Sequence, residues 1–272
     1  MTSKSYSYGR ANYKPGQKES YKISRSKIEV FMQCRRCFWL DAREHIVRPQ
    51  GPPFTINKAI DELFKKEFDS FRSKAKPHPL MVEFSVDAIP MQHDKLDIWR
   101  QNFTGVSALY EPANFLVFGA IDDLWVDSEG KAIVVDYKAT AKDQEVNIDS
   151  DWQIGYKRQL EVYQWLLRQN GLAVNDIGYF VYTNANVGAK SFGDKVEFKT
   201  KLIPYKGDDS WIEPTLKEMK ATLDDDSMPP VGTAAMGGPC EYCAYARART
   251  ELTLNAIENH DKKKKRSRLG KK

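Results

Sequence analysis

The sequence predicts an α/β domain built on a small mixed β-sheet flanked by helices. Three observations carry that expectation. Amphipathic stripes and β-rich runs succeed one another in the order helix, strands, helix, strands. A turn signal, Asp127-Ser128-Glu129-Gly130, joins the apolar β-rich runs Phe115 to Val126 and Lys131 to Lys138 as a hairpin. The 272 residues suffice for one buried core with elaborations, and no apolar run approaches the length of a membrane span.

Residues 1–22, rich in Ser, Tyr, Gly and Lys and without periodicity, read as a disordered basic tail. The folded domain is expected over residues 23–250, and residues 251–272 read as a basic C-terminal tail. Ser26 with Glu29 forms a capping box that opens a helix through Ile28, Phe31, Met32, Phe38 and Trp39. A Pro/Gly break spans 49–53. A second helix, Ile56 to about Ser73, carries the stripe Ile56, Ile60, Leu63, Phe64, Phe68 and Phe71. Residues 77–114 are mixed, with a strand expected at Met81 to Val86. After the hairpin, Trp152 to Asn170 forms a helix striped by Tyr156, Leu160, Tyr163 and Leu167 and ended by Gly171. Strands at Ile177 to Thr183 and Lys195 to Leu202, then a helix at Trp211 to Leu223, complete the domain.

The net charge of +5 is uneven: residues 1–25 carry +5 and residues 261–272 carry +7, which leaves −7 on residues 26–260. An acidic body suits metal binding, and basic tails suit phosphate attraction or simple solubility and targeting. The N-terminus lacks the apolar stretch of a secretory signal, so a cytoplasmic protein is expected.

The chemistry concentrates on the hairpin. With the turn centred on Glu129, paired positions sum to 258, which sets Asp122 opposite Asp136. Lys138 shares a face with Asp136 because side chains alternate along a strand. Opposed like charges destabilise a sheet, and a divalent cation relieves them. Gly119 is a candidate bulge. Asp61 lies on the edge of the buried face of its helix, and Gln159 stands three and four residues from Tyr156 and Tyr163. A solvated sheet face with Lys138 pairing Asp136 would explain the hairpin alone equally well. With a cation such as Mg²⁺, these parts suit phosphodiester hydrolysis. Acyl transfer has no Ser/His/Asp or Cys/His arrangement to support it, and His45, His78, His93 and His260 form no ligand spacing.

The segments GAIDD (Gly119 to Asp123), VVDYKAT (Val134 to Thr140) and QLEVYQWLL (Gln159 to Leu167) resemble motifs II and III and the Gln-x-x-x-Tyr helix of the PD-(D/E)xK nuclease superfamily. The RecB-like and CRISPR-associated exonucleases are the most similar branch, over about Ser24 to Arg249. The resemblance implies a restriction-endonuclease-like core and Mg²⁺ or Mn²⁺. It assigns Asp122, Asp136 and the Tyr137 carbonyl as metal ligands, Lys138 as the catalytic lysine, and Gln159 and Tyr163 as supports of substrate or metal geometry. That branch usually offers a histidine from the upstream helix. Here Asp61 takes its place as a ligand, which shifts the expected preference from Mn²⁺ toward Mg²⁺.

The four cysteines fall into two C-x-x-C pairs, Cys34/Cys37 and Cys240/Cys243, which argue for one tetrathiolate site stapling a helical cap. The similar nucleases staple their termini with a 4Fe-4S cluster held by one early and three late cysteines. That favours a 4Fe-4S cluster here, although the two-plus-two distribution departs from the pattern and sulfur ligation suits Zn²⁺ as well. The leading expectation is a metal-dependent DNA nuclease acting on single strands or free ends, in repair, recombination or defence. The alternatives are a catalytically decayed nucleic-acid-binding module on the same fold, and a Zn-stapled protein that binds acidic partners through its tails.

Overall fold

Two sheets, rather than the single one expected, organise the described part of the chain. The computed structural model describes residues 12–49, 51–52, 55–232 and 238–269, apart from the side chains of 261 and 263–269. A three-stranded sheet has the order β1 (Tyr21–Ser24), β4 (Phe115–Gly119), β3 (Val106–Tyr110). A five-stranded sheet has the order β2 (Ala88–Pro90), β5 (Asp123–Asp127), β6 (Ala132–Thr140), β7 (Ile177–Ala185), β8 (Phe198–Lys206). β6 pairs antiparallel with β5 and parallel with β7, so the sheet is mixed. The helices are α1 (Arg25–Gln33), α2 (Arg35–Glu44), α3 (Thr55–Arg72), α4 (Pro79–Glu83), α5 (Leu96–Trp99), α6 (Ile154–Gln169), α7 (Ile212–Asp224) and α8 (Glu241–Leu269). No helix among the described residues is long and apolar enough to cross a membrane.

The hairpin forms with the expected register, since Asp123 pairs with Val135 and Leu124 with Val134. Its turn is closed by Asp127, whose side chain accepts from the N–H groups of Glu129 (3.0 Å) and Lys131 (2.8 Å). The first expected strand, however, divides. Its front half, β4, belongs to the other sheet, and the chain turns at 120–122 before β5 begins. Gly119 marks this division and is no bulge. A Cβ there would lie 2.7 Å from Cε1 of Tyr163, so only glycine lets β4 pass that ring.

β6 divides the core by its period of two. Val134 packs in the larger cluster with Leu160 and Tyr163 of α6, while Ile133, Val135 and Tyr137 pack in a second cluster with Phe68 of α3 and Trp125. Asp136 and Lys138 therefore face the α6 side, and Tyr137 faces the α3 side. α6 lies close on the sheet, because a Cβ at Gly178 would stand 2.7 Å from Leu160 Cδ2.

Several elements differ from the sequence-based expectation. Tyr13 is buried against Tyr21 and donates to Asp224 at 2.6 Å, so the folded chain starts well inside the expected N-terminal tail; residues 1–11 lie outside the described residues. The capping box at Ser26 does not form: α1 starts at Arg25, and Glu29 instead pairs with Arg158 at 3.2 Å. In α3 the buried stripe narrows to Phe68 with Phe64 beside it, while Ile56 and Leu63 are exposed. Residues 79–83 form α4 instead of a strand, because His78 accepts from Leu80 N–H at 3.1 Å and Pro79 opens the turn. The last expected strand shifts to Phe198–Lys206, and α8 carries on through Leu269 where a tail was expected. Half of the side chains of residues 251–272, and part of the 49–53 break, lie outside the described residues.

Candidate active site and cysteine centre

The end of β6 opens into a cleft of about 200 Å³, walled by Asn57, Ile60 and Asp61 of α3, by Tyr137 to Ala139 of β6, and by Tyr156 of α6. Of the sequence-selected residues, Asp61, Tyr137 and Lys138 line it. Asp136 is fully buried, and neither of its carboxylate oxygens accepts a hydrogen bond among the described residues, although the Lys138 ammonium lies against Oδ2. Lys138 in turn sits 4.6 Å from the ring centroid of Tyr156. Asp122, one residue beyond the ladder, turns its Oδ2 onto the Tyr137 N–H at 2.8 Å. Burial, then the charge of Asp136, raises the Asp122 carboxyl to about 7.

Asp61 is also raised, by burial and then by the charge of Asp122. Its Oδ2 accepts from Lys65 at 2.6 Å, while its Oδ1 is buried without a partner. From the α6 side, Tyr163 receives a hydrogen bond from Gln159 at 3.2 Å, and both residues are buried. Burial raises the Tyr163 hydroxyl, and the charges of Asp122 and Asp136 add to the shift while Arg25 opposes it. The donors are hard oxygen ligands, the type a divalent cation such as Mg²⁺ prefers. Asp122 feels the charge of Asp136, and Asp61 that of Asp122. Three oxygens, Asp61 Oδ1 and both of Asp136, are buried without a hydrogen bond among the described residues, while Lys65 and Lys138 supply only part of the compensating charge.

Beneath this site lies a network that the sequence reading missed. Asp123 is fully buried and accepts from Arg72, from Arg100 at 2.7 Å, from Leu124 N–H at 2.8 Å and from the Tyr137 hydroxyl at 2.7 Å. Arg100 also holds Asp69 at 2.9 Å and the Asp122 carbonyl at 3.1 Å. Burial pushes the Asp69 carboxyl up, but Arg100 and Arg72 outweigh it and hold it below its ordinary value. The network fixes both the ring of Tyr137 and the backbone of Asp122. Its sequence signal was the Asp122-Asp123 doublet, together with Arg72 four residues after Phe68 on the buried face of α3.

The four cysteines meet in a second cluster. Sγ of Cys37 lies 3.6 Å from Cys243 and 3.7 Å from Cys240, and Cys34 lies 3.8 Å from Cys243. All four sulfurs fall within 4.8 Å of one another, as a shared metal requires. Cys34 and Cys37 do not share one continuous helix. Cys34 is extended (φ −161°, ψ 106°) and separates α1 from α2, with Cys37 in the first turn of α2. Burial opposes ionisation of Cys34, but N–H groups of Cys37 and Gly232 and the neighbouring thiols outweigh it, bringing the thiol down to about 7. Burial and the charge of Cys37 push Cys243 up, as expected for clustered thiolates without a cation.

Residues 55–248 match the sequence model of the PD-(D/E)XK nuclease superfamily. No curated protein matches the chain. Among solved structures, the crystal structure of SSO0001 is similar at 16% identity and a TM-score of 0.33, over 78% of this chain and 81% of that one.

Proposed function

We propose, because the chain belongs to the PD-(D/E)XK nuclease superfamily, that it is a metal-dependent DNA nuclease whose chemistry resides at Asp122, Asp136 and Lys138. The observation that carries this reading is Asp136: a fully buried carboxylate with no hydrogen bond to either oxygen, beside a second carboxylate and a lysine at the mouth of a cleft. A divalent cation held by Asp122, Asp136, the Tyr137 carbonyl and Asp61, with Mg²⁺ favoured over Mn²⁺ by the all-oxygen set, would supply charge for the scissile phosphate and acidify an attacking water.

The remaining work belongs to the chain. Lys138, braced between Asp136 and the face of Tyr156, orients the water and offsets charge developing on the phosphate. Tyr163 and Gln159, hydrogen-bonded to each other on α6 and within the field of Asp122 and Asp136, support the geometry of the site. The open cleft between α3 and α6 suits a single strand or a free end better than a continuous duplex. Action in repair, recombination or defence, and cytoplasmic residence, belong to the same proposal; the four free cysteines support the latter.

A second reading, a nucleic-acid-binding module whose chemistry has decayed, draws support from Asp61, which Lys65 already pairs at 2.6 Å. Cleavage of labelled single- and double-stranded DNA with Mg²⁺ or Mn²⁺ separates the two. The protein should cut single strands or ends, and Asp136→Ala or Lys138→Ala should each reduce the rate by ~10³-fold or more. Undiminished cleavage by either variant would refute the site. DNA retained without cleavage by the unaltered protein would favour the decayed module.

A further inference from the structure

We infer that the four cysteines form a mononuclear tetrahedral zinc centre, and not the 4Fe-4S cluster that the family resemblance favours. The sulfur spacing decides between them. A single ion with Zn–S bonds of ~2.3 Å in tetrahedral geometry sets its sulfurs about 3.8 Å apart. Three of the six sulfur separations, 3.6, 3.7 and 3.8 Å, match that frame. A cubane interposes four irons and four sulfides, so its cysteine sulfurs stand roughly 6 Å or more apart. All four sulfurs lie within 4.8 Å of one another, which leaves no place for such a core.

The surroundings prevent the sulfurs from spreading. Gly232 presses on the first pair so closely that a Cβ there would lie 2.6 Å from Cys34 Cα. Its N–H donates to Cys34 Sγ at 3.3 Å, and its carbonyl accepts from Cys240 N–H at 2.6 Å. One glycine thus ties the two cysteine pairs together from outside the metal.

The two C-x-x-C pairs also repeat one local structure. Cys34 precedes α2 and its carbonyl accepts from Phe38 N–H at 3.2 Å; Cys240 precedes α8 and its carbonyl accepts from Ala244 N–H at 2.9 Å. In each pair the second cysteine sits in the first helical turn, so two helix N-termini point toward the sulfurs and favour thiolates. Four thiolates around one Zn²⁺ leave a net charge of two negatives. Arg48, stacked 4.7 Å from the ring centroid of Tyr242, donates to Cys240 Sγ at 3.7 Å and offsets part of it. Such a matched pair of C-x-x-C turns, with Gly232 N–H donating to Cys34 Sγ and Arg48 to Cys240 Sγ, suits a structural ion with no open coordination position.

The test needs no DNA, so its outcome is independent of the nuclease reading. The full chain is purified anaerobically from cells supplied with both iron and zinc, and its metals and acid-labile sulfide are measured. The expected result is about one zinc per chain, negligible iron and sulfide, and a colourless protein. Replacing the zinc with Co²⁺ should give the intense visible bands of a tetrahedral cobalt thiolate. Cys243→His should keep about one zinc, because imidazole substitutes for thiolate in such sites. About four irons with matching sulfide, or no stoichiometric metal, in the unaltered protein would overturn the inference.

Discussion

Asp123 and Asp136 lie on neighbouring strands, and both are fully buried, yet they are treated in opposite ways. Asp123 accepts hydrogen bonds from two guanidinium groups, a backbone N–H and a tyrosine hydroxyl. Asp136 accepts none among the described residues, and faces Lys138 on one side and the field of Asp122 on the other. A buried carboxylate that the protein saturates serves the fold. One that the protein leaves without hydrogen bonds, holding only a lysine beside a second like charge, is suited to a cation from outside. Tyr137, next to Asp136 on β6, ties the saturated residue to the open one's neighbour: its ring hydroxyl binds Asp123 and its N–H binds Asp122.

The largest expected effect breaks this comparison apart. Asp123→Asn leaves Arg72 and Arg100 buried with only Asp69 to balance them, and should cost about 3–5 kcal/mol in urea unfolding. Asp136→Asn should cost far less without metal, since losing the Lys138 ion pair is offset by relief of the repulsion with Asp122. Equal losses from the two variants would mean that the carboxylates do the same job.

A smaller effect follows from Asp122. Its folded-state value of about 7 lies above its ordinary value of 3.8, so the folded chain holds that proton more tightly than the unfolded chain. Folding takes up a proton between those values, and this group's contribution to stability falls as pH rises from about 4 to about 7. With a chelator present, the urea midpoint should decline across that window. Saturating Mg²⁺ should remove the decline, because the cation takes the place of the proton. A midpoint that falls equally with and without Mg²⁺ would separate Asp122 from the cation site.

The smallest effect probes the link that Tyr137 makes between Asp123 and Asp122. Tyr137→Phe deletes the hydroxyl that donates to Asp123 while keeping the N–H that holds Asp122. Stability should drop by about 1–2 kcal/mol. Cleavage at saturating Mg²⁺ should stay within about threefold, because the backbone contact to Asp122 survives. A loss of cleavage comparable with that of Lys138→Ala would show that the ring itself positions the site.

The hairpin register was legible because a turn signal fixes pairing by counting, and the alternation of side chains then assigns faces. The placing of Asp61 and of the α6 residues near the hairpin was legible from helical spacing. The division at Gly119 was not, because the same apolar run continues through both sheets and only the ring of Tyr163 explains the glycine. Nor was α4, where a local bond from Leu80 N–H to His78 overrides a β-rich composition.

By itself the sequence determined the local order of helices and strands, the register of the β5–β6 hairpin, the motif carried by Asp122, Asp136 and Lys138, and the pairing of the cysteines by spacing. These follow from short-range periodicity and turn chemistry, which the chain carries wherever it folds. The tertiary structure alone decided that Asp123 and Asp136 have opposite fates, that Arg72 and Arg100 meet across three elements, and that the four sulfurs stand at the spacing of a single ion. Those outcomes depend on which distant groups reach a buried charge or sulfur, and no local pattern encodes the approach of residues separated by tens to hundreds of positions.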